Sequence, residues 1–427
     1  MDKSEEKKLI NSSRSAFFLA GYGVSTLAPL IPILQERFSL DPHELGLLLL
    51  CSGIGAFSSM PLAGWLVGRI GCRNMVYAAV ALMTCALLSV TLSPAVYLTG
   101  ALLFFVGMAG VSFGVVVNIN AAHVERMIGR SIMSSQHGIY SVGCICGTLA
   151  VTFLLGAGLS MSLAEAGALC LYVLVPLIFS RRLLTRAQIA QPRQAPGEGQ
   201  SAKTSRFGAL HPVIICIGMM CYVMYQTEGS MMDWSGVFLK NELHAPVEQA
   251  GFGYAAFSIA MTCFRLLGDK IVTACGRRRV LVCGTIGIFI GYSFVVFGGS
   301  IYTALLGYFI IGLGAANIVP QLISFSATLK GVSVNGAVTT VNAIGCMGSL
   351  MGPAVIGFCA HAFGLGHTFL LQGALVLCVG AGCLWLLRNQ KPPVGAVPKG
   401  TAGLQAKPGA GSSAASASVL PESASAH

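Results

Sequence analysis

The feature that most constrains this chain is its division into long apolar runs. Along the 427 residues, hydropathy marks twelve segments: 15–35, 45–67, 75–92, 97–121, 134–157, 161–179, 210–239, 251–268, 280–298, 301–328, 334–358 and 367–387. Most approach the ~20 residues that a bilayer's hydrocarbon core requires of a spanning helix. In lipid a backbone must satisfy its own polar groups, which leaves helices or a closed barrel, and runs of this length are helical. Composition agrees, with 55% hydrophobic and only 10% charged residues, against ~25% charged in a soluble domain. The expected fold is an all-α membrane protein with twelve transmembrane helices in two six-helix lobes.

Polar stretches punctuate the runs. Residues 1–14, "MDKSEEKKLINSSR", carry mixed charge and are expected to be a cytoplasmic segment rather than a cleavable signal. A first lobe is expected over 15–180, a linker rich in Arg, Gln, Pro and Gly over 181–209, a second lobe over 210–388, and a disordered low-complexity tail over 389–427. With both termini in the cytoplasm, every Lys and Arg falls on the cytoplasmic side except Arg37 and Lys240 opposite and Arg265 within the eighth segment. That bias sets the topology and accounts for the +11 formal charge without a nucleic-acid partner. The 15 cysteines lie mostly inside apolar runs. Cys144 and Cys146 lack the spacing of a zinc site, so no metal and no cofactor is expected.

The two halves repeat one another. Gly46 precedes Gly251, Gly71 precedes Gly276 and Gly107 precedes Gly312, each by 205 residues. A six-span unit duplicated in one orientation is the plan of two-lobed secondary transporters.

These residues carry a resemblance. The loop "GWLVGRIGCRNMV" (64–76) resembles the G-x-x-x-D-R-x-G-R-[KR] motif of the major facilitator superfamily, with Gly68 where the acid should stand, and "LLGDKIVTACGRRRV" (266–280) retains Asp269 and Lys270. More narrowly, "NINAAHVERMIGRSIMSSQHGIYSVG" (118–143) and "EGSMMDWSGVFL" (228–239) resemble a bacterial subgroup of permeases distantly akin to proton-coupled fucose carriers. The resemblance implies a multi-pass protein of the bacterial inner membrane, working as a monomer. It also implies that spans one, four, seven and ten line a central cavity.

Polar residues on the fourth, fifth, seventh, tenth and eleventh segments are the candidate substrate contacts: Asn118, His137, Tyr140, Tyr225, Gln226, Trp234, Asn317, Gln321 and Asn342. Amides and hydroxyls beside aromatic rings suit a ligand dense in hydroxyl groups. The plainer reading is that such side chains bond a neighbouring helix, and it applies most to Asn118, Asn120 and Asn342. Glu165, near the outer end of the sixth span, is expected to reach the membrane interface.

Glu228 and Asp233 stand apart, because a carboxylate at membrane depth costs roughly 3 kcal/mol or more. Protonation relieves that cost, so such a group can carry a proton through a transport cycle. Glu228 is expected to be the proton-coupling site, with Asp233 contacting substrate or closing the outer gate. An uninterrupted helix would turn the two about 140° apart, and Gly229 and Ser230 offer a place for a break. The competing role for Asp233 is an ion pair with Arg37.

Charged pairs at the cytoplasmic ends of spans are the expected gate, biasing one lobe arrangement over the other. The candidates are Asp269 with Lys270, Arg277 or Arg278, and Glu125 and Arg126 with Arg69, Arg73 or Arg130. The function these features imply is proton-coupled uptake of a small polar, sugar-like solute by alternating access. The alternative is a proton-driven multidrug or metabolite exporter. The fifth span has Gly143-x-x-x-Gly147 without the following proline of exporters, which favours uptake. A membrane sensor that binds without moving its ligand lacks a signalling domain, and no catalytic array marks an enzyme.

Overall fold

The computed structural model describes residues 3–128, 132–179, 183–185, 211–326, 328–329 and 334–388. The tail 389–427 and all of the linker but 183–185 lie outside the described residues. In chain order the helices are α1 (Lys3–Ser25), α2 (Ile31–Arg37), α3 (Pro42–Leu92), α4 (Val96–Ile128), α5 (Met133–Gly156), α6 (Met161–Phe179) and α7 (Pro212–Asn241). There follow α8 (Gly251–Leu266), α9 (Gly268–Cys275), α10 (Arg277–Phe297), α11 (Ile301–Ala315), α12 (Ile318–Ser326), α13 (Val334–Phe363) and α14 (Leu365–Leu386). Among the described residues, eight helical stretches are long and apolar enough to cross a membrane. One of them holds two spans, and α6, α7 and α8 with α9 complete twelve. We call the side where α1 begins and α14 ends the terminal face, and its opposite the far face.

Local sequence explains where spans break. Pro29 and Pro32 lack the amide that a helix interior uses, and the first span divides there into α1, a 3-10 turn over Ala28–Leu30, and α2. Helix α3 has 51 residues, about 76 Å if straight, more than twice the ~30 Å hydrocarbon core. Gly71, at φ 83° and ψ 165°, turns it back as spans two and three. Gly276 does the same between α9 and α10 at φ 81° and ψ 144°. The repeat reaches residues that are not glycine. Ser39 and His244, also 205 apart in sequence, both take positive φ, 49° and 53°, a conformation uncommon outside glycine.

The third glycine pair brings helices together. A Cβ on Gly107 would lie 1.7 Å from the Ser52 carbonyl oxygen, and one on Gly312 would lie 2.3 Å from that of Phe257. Ser52 and Phe257 keep the same spacing, so α4 meets α3 as α11 meets α8. Each lobe also has an aromatic centre. Tyr22, Phe113 and Tyr172 are buried in the first, and Trp234, Tyr292, Tyr308 and Phe369 in the second. The Tyr22 hydroxyl donates to the Ala168 carbonyl at 3.0 Å and Tyr308 to that of Ser235 at 3.3 Å.

The lobes meet along α3 with α13 and along α5 with α8. At the far face Gly46 lies against Pro353 and Gly357, while Gly251 lies against Thr152 and Pro29. Lys240 pairs with Glu36, and the Asn241 side-chain amide donates to Gln35 at 3.0 Å. Toward the terminal face, α3 and α13 stay in contact as far as Gly53 and Leu350. Beyond that, Gly64 and Gly68 have open space beside them. On the other side of the interface, α5 and α8 remain together down to Gly138 and Leu266.

Asp41 caps α3 at the far face, accepting from the Glu44 amide at 2.9 Å, while the Glu44 side chain accepts from the Asp41 amide. Partial burial works to raise the Asp41 carboxyl, but the Glu44 amide and the neighbouring His43 outweigh it and hold it below the usual carboxylate value.

Two expectations are corrected here. Glu165 does not reach the membrane interface. It is fully buried, one oxygen accepting from the Thr26 hydroxyl at 2.8 Å and the other without a partner among the described residues. Nor does Arg37 pair with Asp233. Its guanidinium donates to the Thr91 carbonyl at 2.7 Å, because the end of α2 points it at the third span of its own lobe.

Candidate functional site

Between the lobes lies a cavity of about 580 Å³, within the ~300–1,000 Å³ typical of small-molecule sites. Five residues of α7 line it: Tyr225, Glu228, Gly229, Met232 and Asp233. Their spacing, i, i+3, i+4, i+7 and i+8, is one stripe of a regular helix. The expected break at Gly229–Ser230 does not occur, since α7 is continuous from Pro212 to Asn241. None is needed. Glu228 and Asp233 occupy opposite edges of one lining face about 140° wide. The Ser230 hydroxyl donates to the Thr227 carbonyl at 2.8 Å and lies 3.3 Å from the Tyr292 hydroxyl, so this turn is pinned rather than unwound.

Glu228 has a partner that sequence reasoning did not assign. Arg265, near the end of α8, lies 3.4 Å from it and also donates to the Ala316 carbonyl at 3.3 Å. Both side chains line the cavity and are partly open, 33% for Arg265 and 22% for Glu228. A signal was available. Arg265 is the lone basic residue within a span, and the cost that singles out Glu228 applies equally to it. Asp233 lines the same cavity, is 8% exposed and makes no hydrogen bond or ion pair among the described residues.

Of the nine expected substrate contacts, the structure brings three to the cavity: Asn118, Tyr140 and Tyr225. The Asn118 amide donates to the Gly114 carbonyl of its own helix at 2.8 Å. Tyr140, together with Tyr254, flanks Cys144. Small hydroxyls that sequence reasoning passed over, Ser52, Ser258, Thr262 and Ser349, also line it. A serine in a membrane helix gives no sign of which way it faces.

The other six do not line the cavity. Trp234 is fully buried in the second lobe, its indole nitrogen unpartnered among the described residues. One step beyond Asp233, it falls off the edge of the lining stripe. Gln226 packs against Gly352 of α13. Asn317 donates to the Phe264 carbonyl at 3.2 Å, where the tenth span breaks beside α8. Gln321 accepts from Arg277 at 2.9 Å. The His137 ring packs edge-on to Phe17 at 5.4 Å. Asn342 sits on α13 one turn before Cys346, the first lining residue of that helix. Asn120, by contrast, follows its plainer reading, accepting from the Leu184 amide at 3.1 Å.

Several of the expected gate residues have contacts among the described residues. Arg69 lies over the Trp65 ring at 4.0 Å, the Arg73 amide donates to the Leu184 carbonyl, and Glu125 accepts from the Ile132 amide at 2.6 Å. Arg277 is held within its lobe by Gln321 and by Ser324 at 3.0 Å. Lys270 and Arg278 are both exposed. Arg126 and Asp269 as side chains, and Arg130 altogether, lie outside the described residues.

A repeated bundle closing on a central charged cavity is a transporter architecture, and comparison with known proteins decides its kind. The sequence profile of the Major Facilitator Superfamily matches residues 15–238 and again 214–421. The chain belongs to the major facilitator superfamily. It is an integral membrane transporter. It is 38% identical over 371 residues to an uncharacterized MFS-type transporter of Yersinia pestis, covering 87% of this chain and 94% of that one. Among solved structures, a variant of the nucleoside transporter NupG superposes with a TM-score of 0.70 at 14% identity, over 90% of this chain and 99% of that one. A D-xylose-proton symporter gives 0.64 at 14%, over 88% and 96%. These two likenesses concern the fold.

Proposed function

We propose that this facilitator takes up a small polar, sugar-like solute by proton symport across the bacterial inner membrane, with its terminal face in the cytoplasm. The observation that carries the reading is the Glu228–Arg265 pair, inside the cavity and open to it. The positive-inside bias supports the orientation, and the structural neighbours named for nucleosides and D-xylose support the substrate class. In this state the far face is joined, so a solute would reach the cavity from the cytoplasm.

The pair gives the coupling a physical form. Ionised, Glu228 holds Arg265; protonated, it has no charge to hold, and Arg265 becomes available to Asp233 or to a solute oxygen. Protonation and solute binding then bias one equilibrium between two lobe arrangements. Asn118, Tyr140 and Tyr225 offer amide and phenolic groups around that charge.

A thermal-stability screen on the purified protein tests the substrate class, since a ligand of the folded state raises the melting temperature by mass action. The panel holds neutral sugars, nucleosides, sugar acids and lipophilic cations. A shift with a sugar or nucleoside, lost in Asp233→Asn, is the expected result. A shift confined to lipophilic cations overturns it in favour of an exporter. Given a ligand, Glu228→Gln in vesicles is expected to abolish proton-driven accumulation while sparing exchange. Persistent accumulation would remove Glu228 from the coupling role.

A further inference from the structure

Outside the cavity, one cluster joins the two lobes at the far face. Asp41 and His43 stand at the start of α3 in the first lobe, and His361 near the end of α13 in the second. The His43 Nδ1 lies 2.6 Å from one Asp41 oxygen, and the His361 Nδ1 lies 3.6 Å from the other. The two imidazole rings meet edge-on at 5.1 Å, and one ligating atom from each of the three residues falls within 4.8 Å of the others.

From this geometry we propose that Asp41, His43 and His361 bind a divalent transition ion of the zinc type that bridges the lobes and favours the state with the far face joined. Two imidazoles and a carboxylate are donors for Zn²⁺, Ni²⁺ or Cu²⁺ rather than for Mg²⁺ or Ca²⁺. Tetrahedral ligands about 2.0–2.1 Å from zinc stand roughly 3.3 Å apart, and the separations of 2.6 and 3.6 Å bracket that value. Small side-chain rotations therefore complete the set.

The surroundings suit an ion that arrives from solvent. His361 is the most open of the three, Asp41 and His43 being partly covered, which leaves room for water as a fourth ligand. Asp41 is fixed by the helix cap, and the His43 ring is steadied against Phe358 at 5.5 Å. Because the ligands come from both lobes, separating the far face must pull the site apart. An ion bound here stabilises the joined state by mass action. Sequence spacing hides the set, since only the fold brings His361 to Asp41 and His43.

Zinc chloride titrated calorimetrically into the untagged, full-length protein in detergent tests the proposal, with melting temperature in EDTA as the check on folding. The wild type is expected to bind one equivalent that is weakened at least ~tenfold in His361→Gln and equally in His43→Gln. Zinc should raise the melting temperature of the wild type and leave both variants unmoved. Unchanged binding in His361→Gln, or weakening in His43→Gln alone, overturns the bridge. So does no zinc uptake by the wild type. The two variants remove ligands from opposite lobes, so misfolding of one leaves the other to decide.

Discussion

The two lobes share a backbone and divide over charge. Stepping back 205 positions from Glu228, Asp233 and Arg265 gives Gly23, Ala28 and Met60. Met60 lines the cavity as Arg265 does, yet it brings no charge. The Gly23 Cα instead accommodates the Tyr172 ring, whose nearest atom would stand 2.5 Å from an added Cβ. Duplication thus preserved the turns and the helix approaches, where backbone geometry admits few residues. The lining positions were left to diverge, and the second lobe took the charged set. The first lobe contributes a smoother wall, with Val24, Leu27, Val106 and Val111 around Asn118.

The largest effects are expected where the lobes agree. Gly107→Ala and Gly312→Ala each force a Cβ onto a facing carbonyl, at 1.7 and 2.3 Å, and overpacking of this kind costs about 3 kcal/mol. Both should lower the yield of folded protein, Gly107→Ala more, as measured by monodisperse recovery in detergent. Equal tolerance of alanine at both would break the claim that these approaches hold each lobe together.

Where the lobes differ, function should fall before stability. Arg265→Met writes the first lobe's residue into the second and leaves Glu228 without its partner. We expect accumulation to drop at least ~tenfold. The loss of stability should be about 1–2 kcal/mol, below the ~3–5 of a fully buried pair because both side chains are partly open. The double change Arg265→Met with Glu228→Gln should recover most of the melting temperature and none of the accumulation. Additive losses would mean the two residues act separately.

The smallest effect belongs to the far-face ion pair. Glu36 is largely exposed beside Lys240, and surface pairs contribute ~0–1 kcal/mol. Glu36→Gln should move the melting temperature within the scatter of replicate scans. A drop of several degrees would make the pair part of the joint itself, alongside Gly46 and Gly357.

Spans, repeat and hinge glycines were legible in the sequence, because membrane thickness fixes helix length and positive φ selects glycine at Gly71 and Gly276. Glu228 and Asp233 were legible too, since a charge at membrane depth is costly wherever it points. Facing was not. A helix surrounded by lipid and by other helices is apolar on every side, so the periodicity that orients a soluble helix carries little signal. Only the tertiary structure decided that α7 runs unbroken, that Trp234 and Gln226 turn away from the cavity, that Arg265 meets Glu228, and that His361 crosses to Asp41. Each depends on which helices pack together, and that is fixed by contacts between residues far apart in the chain.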